Sequence, residues 1–304
     1  MQIAHESPLC IMNQVQELTD YDYCLVHLLE ESKEYLDFFT ASKDKGRKIL
    51  MDCSLFELGH SFDFDKYYNW LQEIQPDEYI VPDVWQDTDK NIESYLKFEH
   101  KYDLKKLVGK KIGVVQGKTY EDFVKCYQFM STKADKIAIS FGYDFYWNNF
   151  NDVYRGLTNL PWILDQFLQI TNIAPSNLYE IERVVNPFIK KFAKPIAQAQ
   201  GRLKLISKLL EDGIINTSLP HHLLGCGIPI EFGDYEKEKF SFIESLDTSH
   251  PVMTGYYGFD YKENQESMWS KNHEKMVDVF HQEVNKDQLT KIKNNILTFK
   301  EFVA

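Results

Sequence analysis

The chain lacks the features of a membrane-spanning or disulfide-stapled protein. No apolar run approaches the roughly twenty residues that cross a bilayer, and Met1 to Glu6 lacks the charged-then-apolar plan of a secretory leader. The cysteines number only five (Cys10, Cys24, Cys53, Cys126 and Cys226), with no CxxC spacing to hold a metal clip or a redox centre. Buried free thiols in an intracellular protein are the expectation. Positive charge is also scarce, 34 Lys and Arg against 46 Asp and Glu for a net charge of -12. That balance opposes generic coating of a polyanion, though local basic segments could still bind one. Repeats and low-complexity segments are missing.

What is present is apolar and aromatic. Hydrophobic residues at 43 % and aromatics at 14 % of 304 residues leave too much apolar surface for a disordered chain. The length suits one barrel-sized domain or two ordinary ones, and one domain over residues 1–304 with an insertion is the reading adopted. Short β-type runs alternate with longer amphipathic ones, the order of parallel strands joined by helices. Eight strands are expected, at Leu9 to Asn13, Tyr23 to Leu29, Lys48 to Cys53, Glu78 to Pro82, Lys111 to Val115, Lys136 to Ser140, His222 to Cys226 and Phe242 to Asp247. Helices are expected over Phe62 to Ile74, Asp87 to His100, Tyr120 to Ser131, Gly201 to Leu210, Tyr235 to Phe242, Glu266 to Val284 and Asp287 to Phe302. The fold class is therefore α/β, a (β/α)8 TIM barrel. The stretch between the sixth and seventh strands exceeds one crossover helix, so an insertion is placed at about residues 142–200. Its start is aromatic (Tyr143, Tyr146, Trp147) and its end basic (Lys190, Lys191, Lys194, Arg202).

Three aspartates, Asp52, Asp83 and Asp247, stand where apolar strand-like runs end. A barrel displays its chemistry at such positions, because a buried strand holds the acid rigidly while its tip meets the ligand. A lone strand-end aspartate is more often a helix cap or turn former, and for Asp83 after Pro82 that reading would win by itself.

Context changes the balance. Ile49-Leu50-Met51-Asp52-Cys53-Ser54-Leu55-Phe56-Glu57 resembles the "TDSGGFQ" segment of the tRNA-guanine transglycosylase superfamily, and Gly113-Val114-Val115-Gln116-Gly117 its "GIVQG". His222 to Pro229 is similar to "YLMGVGTP", and Ser245 to Pro251 to "GIDMFDCVMPT". The matches fall in chain order over about Lys48 to Pro251. There are departures: Ser54-Leu55 replaces a glycine pair, and no cysteine follows Cys226, so the family's usual zinc motif is missing. The reduced form is most similar to the branch that modifies DNA with 7-deazaguanines in phages and bacterial modification clusters.

The resemblance implies exchange of guanine in DNA for a 7-deazaguanine such as preQ0, in the cytoplasm of a bacterial or phage-infected cell. A tRNA substrate, or an inactive nucleic-acid-binding barrel, are the alternatives. It implies Asp247 as nucleophile, Asp52 as general acid/base, and Asp83 and Gln116 as readers of the guanine edge. Gly142, Tyr143, Gly225 and Gly227 complete the base pocket. No cofactor is expected and metal is doubtful; a homodimer is left open. Mutual repulsion between Asp52 and Asp247 is expected to raise one pKa. Tyr143, Tyr146 and Trp147 are candidates for aromatic stacking, with a small core or a partner surface the favoured reading of that aromatic segment, and Lys190, Lys191, Lys194 and Arg202 are candidates for phosphate contacts. His221 and His222 are given a solvent or phosphate role, since no third metal ligand lies at useful spacing.

Overall fold

A computed structural model describes residues 1–153, 178–271 and 275–303, with the side chains of 149 and 178–191 outside that description. Eight parallel strands form one sheet in the order β1-β8-β7-β6-β5-β4-β3-β2. They are β1 Gln2–His5, β2 Asp22–Leu25, β3 Ile49–Asp52, β4 Glu78–Ile80, β5 Lys110–Val114, β6 Lys136–Ser140, β7 His221–Leu224 and β8 Ile243–Thr248. The two ends of the sheet meet where the Asp20 N–H donates to the Ile3 carbonyl (2.9 Å) and the Ile3 N–H to the Asp20 carboxylate (2.8 Å). The fold is a nearly closed (β/α)8 barrel.

The first strand is a correction. Leu9 to Asn13 is helical, a 3-10 turn running into Met12–Gln16, and β1 is the preceding Gln-Ile-Ala-His. A four-residue apolar run, Leu9 to Met12, does not distinguish strand from helix by periodicity, and Pro8 stands between the two elements, just before the 3-10 turn. Expected helices are found at Phe64–Ile74, Thr88–Lys101, Tyr120–Lys133 and Lys286–Val303. Lys33–Asp44 is a further helix, started by Ser32, whose hydroxyl accepts from the Tyr35 N–H. The expected helix over Tyr235 to Phe242 is instead a set of turns, and Glu266 to Val284 is broken into short pieces around residues 272–274, which lie outside the described ones.

Between β6 and β7 a 3-10 turn, Asp144–Asn149, packs on a long helix, Leu178–Glu211. Gly201 is needed there, because a Cβ would come within 2.4 Å of the Tyr146 Cβ. Residues 154–177 of the expected insertion lie outside the described ones. Among the described residues no helix is long and apolar enough to cross a membrane.

The barrel interior is unusually polar along β6, β7 and β8. Lys136 is fully buried at the start of β6 and pairs with Glu78 of β4 (3.2 Å) and Glu244 of β8 (2.8 Å). The register between β7 and β8 shifts at this level, with His221 opposite Ile243 and His222 opposite Ser245. Glu244 is the extra residue of that bulge, and a bulge re-aims the residues beyond it. Here it sets Ser245 and Asp247 beside His222.

Candidate active site

The mouth of the barrel opens into a cavity of about 590 Å³. Asp52 ends β3, Asp247 is next to last in β8, Asp83 and Gln116 lie just past β4 and β5, and Gly225 follows β7. All five line this one cavity. Asp52 and Asp247 are 6 % and 3 % exposed, so both carboxylates face inward at the same end of the barrel. That end is where barrel enzymes carry their chemistry, and the fold is commonly enzymatic.

Asp52 accepts a hydrogen bond from the Tyr23 hydroxyl (2.8 Å) on one oxygen and from the Ser54 N–H on the other. Ser54 reaches this position with φ +61°, the left-handed region that glycine enters freely and other residues enter at a cost. The His27 ring lies 2.7 Å from the Ser54 hydroxyl and helps hold it there. Burial pushes the Asp52 carboxyl well above the usual range, and Glu57 and Asp83 push the same way against the bonds from Tyr23 and Ser54. The proton affinity expected from an Asp247 neighbour is thus supplied by burial and by different acids. Glu57 is itself raised to about 7, chiefly by burial, and Glu6 is raised by burial with Glu57, Asp247 and Asp52 adding to it.

Asp247 Oδ1 lies 2.9 Å from His222 Nε2 and accepts from the Gly225 N–H (3.0 Å). Gly225 has φ +69°, and a Cβ there would meet the Phe141 ring at 2.3 Å, so no other residue fits without displacing that ring. Across the cavity, the Gln116 amide donates to Asp83 Oδ2 (2.6 Å) while its oxygen accepts from the Gln86 N–H (2.8 Å). The Cys53 thiol donates to Asp83 Oδ1 (3.3 Å). Burial raises Asp83 to about 6 against these bonds.

The rim is aromatic and cationic. Phe56, 45 % exposed, lies 5.8 Å from the Phe141 ring. Lys271 Nζ stands 4.0 Å over Phe141, and Lys275 Nζ stands 4.5 Å over Phe56 while donating to the Phe56 carbonyl (2.6 Å). Trp85 completes this wall.

Several expected residues stand elsewhere. Tyr143 is fully buried, its hydroxyl bonded to the Val115 carbonyl (2.6 Å), and Tyr146 is buried with its hydroxyl on the Ser140 carbonyl (3.0 Å). Neither is available to stack on a base. Gly142 and Gly227 do not line the cavity; Gly142 turns the chain after β6 with φ +85°. Trp147 is covered by Lys194, whose Nζ lies 4.5 Å over the ring. Lys190 and Lys191 lie on the long helix, but their side chains are outside the described residues.

Arg202 is the clearest correction. It is fully buried, grips both oxygens of Glu231 (2.6 and 2.9 Å), and donates to the Gly225 carbonyl (2.9 Å). It braces the loop after β7 from behind and presents nothing to a phosphate. Breaking a buried pair strands one charge, so Arg202→Met is expected to lower unfolding free energy by about 3–5 kcal/mol, measured by urea denaturation. An unchanged midpoint with weakened nucleic-acid binding would restore the phosphate role.

His221 and His222 are buried too: His221 Nε2 lies 3.0 Å from the Tyr127 hydroxyl, and His222 adjoins Asp247. A solvent or phosphate role is excluded for both in this arrangement. Glu6, Tyr23, Trp85, Lys271 and Lys275 are cavity residues that the sequence did not single out. Glu6 follows the unrecognised β1, while Glu57 stands inside the motif around Asp52.

Among the described residues, no group of three or more His, Cys, Asp or Glu could hold a metal ion. Cys226 is buried, and no cysteine follows it in the sequence. No protein-family model matches the chain, and no curated protein matches it in sequence.

Proposed function

We propose that this barrel exchanges guanine in DNA for a 7-deazaguanine through a covalent intermediate on Asp247. The observation that carries the reading is the convergence of Asp52, Asp247, Asp83 and Gln116 on one cavity, in the roles that the motif resemblance implies.

Asp247 attacks C1′ of the sugar, forming a carboxylate–C1′ bond as the C1′–N9 bond breaks. The electron pair of the broken bond leaves with guanine, which takes a proton from the Asp52 carboxyl. Ionised Asp52 then removes the proton from the ring nitrogen of the incoming base, which displaces Asp247 and restores a glycosidic bond. Charges and protons balance over the cycle without a redox cofactor or a metal.

Recognition falls to the Asp83–Gln116 pair. Each Asp83 oxygen accepts one bond from the protein and keeps lone-pair capacity for the N1–H and 2-amino group, while Gln116 has a second amide proton for O6. A base in a duplex cannot reach this depth, so the nucleotide enters flipped out or already unpaired. Phe56, Phe141 and Trp85 supply apolar faces at the entrance, and the exposed Lys275 the positive charge for flanking phosphates, while burial lowers the proton affinity of Lys271 over Phe141.

The test is mass spectrometry of nucleosides from guanine-containing DNA and from folded tRNA, each incubated with the protein and preQ0. Incorporation into DNA is expected. Incorporation into tRNA alone moves the substrate to the tRNA alternative, and incorporation into neither ends the base-exchange reading.

A further inference from the structure

The polar line inside the barrel runs from its floor to the proposed nucleophile. Lys136 Nζ donates to Ser245 Oγ (2.7 Å), Ser245 Oγ lies 3.0 Å from His222 Nδ1, and His222 Nε2 lies 2.9 Å from Asp247 Oδ1. All four residues are buried, and Lys136, His222 and Ser245 are wholly so. We infer that His222 is the positioning residue of Asp247, held as the neutral Nε2–H tautomer by Ser245 and Lys136, so that Asp247 attacks through Oδ2. This inference rests on the base-exchange reading for its catalytic consequence, but not for its proton arrangement.

The direction of the protons follows from both ends of the line. Between the carboxylates of Glu78 and Glu244, the Lys136 ammonium has protons only to give, so Ser245 Oγ accepts from it. The Tyr21 hydroxyl spends its proton on the Leu246 carbonyl (2.7 Å). The Ser245 proton is then free for His222 Nδ1, with the Tyr21 oxygen as its other acceptor in reach. At the other end, a carboxylate oxygen facing a bare imidazole nitrogen would set lone pair against lone pair, so His222 must present Nε2–H to Asp247. The Asp247 end selects this tautomer, and the Ser245 end is compatible with it. Burial lowers the proton affinity of His222, which agrees with a neutral ring.

The consequence lies in the two oxygens of Asp247. Oδ1 takes both donors, His222 Nε2–H and the Gly225 N–H, and among the described residues no donor reaches Oδ2. A carboxylate held by one oxygen keeps its orientation while the other retains its full lone-pair density for C1′. The device is a fixed hydrogen-bond line along the strands, in which the floor of the barrel sets the state of its mouth.

Two measurements test it. In the wild-type protein, with no substrate added, long-range nitrogen–proton NMR correlations of the histidines are expected to show His222 as a neutral ring protonated at Nε2; protonation at Nδ1 would overturn the inference whatever the activity. In base exchange on DNA, His222→Leu is expected to lower kcat by roughly 10–100-fold with little change in KM for DNA, and His222→Gln, whose amide can still donate at the same place, is expected to recover most of that loss. Wild-type kcat in His222→Leu would overturn it, as would a Gln variant no better than a folded Leu variant. If the Leu variant does not fold, the wild-type spectrum decides. If the wild type exchanges no base at all, the base-exchange reading fails and the spectrum still tests the proton line.

Discussion

Asp247→Asn is expected to lower base exchange roughly 10⁴-fold or more in kcat/KM while leaving the fold in place. The asparagine carbonyl can occupy the Oδ1 position and keep both donors, the His222 ring and the Gly225 N–H, that converge there. Its amide nitrogen then stands where Oδ2 faced the cavity, and an amide nitrogen has no lone pair to offer C1′. The variant therefore separates loss of the nucleophile from loss of structure, which Asp247→Ala does less cleanly because it leaves two buried donors without an acceptor. The diagnostic measurement is a denaturing gel of protein mixed with DNA and no incoming base. The wild type is expected to give a covalent protein–DNA species and the variant none. An equal yield of adduct from Asp247→Asn would show that another group attacks C1′, and the assignment would fall.

The parts of the site that were legible in the sequence are those whose position depends only on where a strand stops. Asp52 and Asp247 follow or end apolar runs, and Gln116 comes directly after one, so counting along the chain places them at one end of a parallel barrel. What was not legible depends on side-chain direction. Tyr143 follows β6 by a few residues, yet the 3-10 turn after it sends the ring into the core against Trp85 and Phe123. Arg202 stands among the basic residues expected to meet phosphates. It falls at i, i+3, i+4 and i+7 spacing with Leu205, Ile206 and Leu209, all buried, so the apolar stripe of its helix already included it. His222 was hidden for another reason: His-His-Leu-Leu in β7 has no alternation to show which residue points inward. The bulge at Glu244 that brings Ser245 and Asp247 to it has no signature in one sequence. β1 escaped notice because only Ile3 and Ala4 of its four residues are apolar.

The second large effect is expected at Asp52. Asp52→Asn removes the proton donor to the leaving base and is expected to cost about 10²–10⁴-fold in the exchange rate, with DNA binding retained because the amide oxygen can still accept from the Ser54 N–H while the Tyr23 hydroxyl turns to accept from the amide nitrogen. The pH profile identifies the role. A general acid acts while protonated, and burial together with Glu57 and Asp83 holds Asp52 protonated well above the usual carboxyl range. First-turnover cleavage by the wild type should therefore fall as pH rises through that raised value, and Asp52→Asn should lose this fall. Glu57, raised to about 7, titrates nearby and provides the control. Its charge is among the causes that raise Asp52, so Glu57→Gln is expected to move the fall toward lower pH without removing it. If the fall disappears in Glu57→Gln and persists in Asp52→Asn, the two acids exchange roles: Glu57 carries the proton, and Asp52 serves as the buried charge beside it.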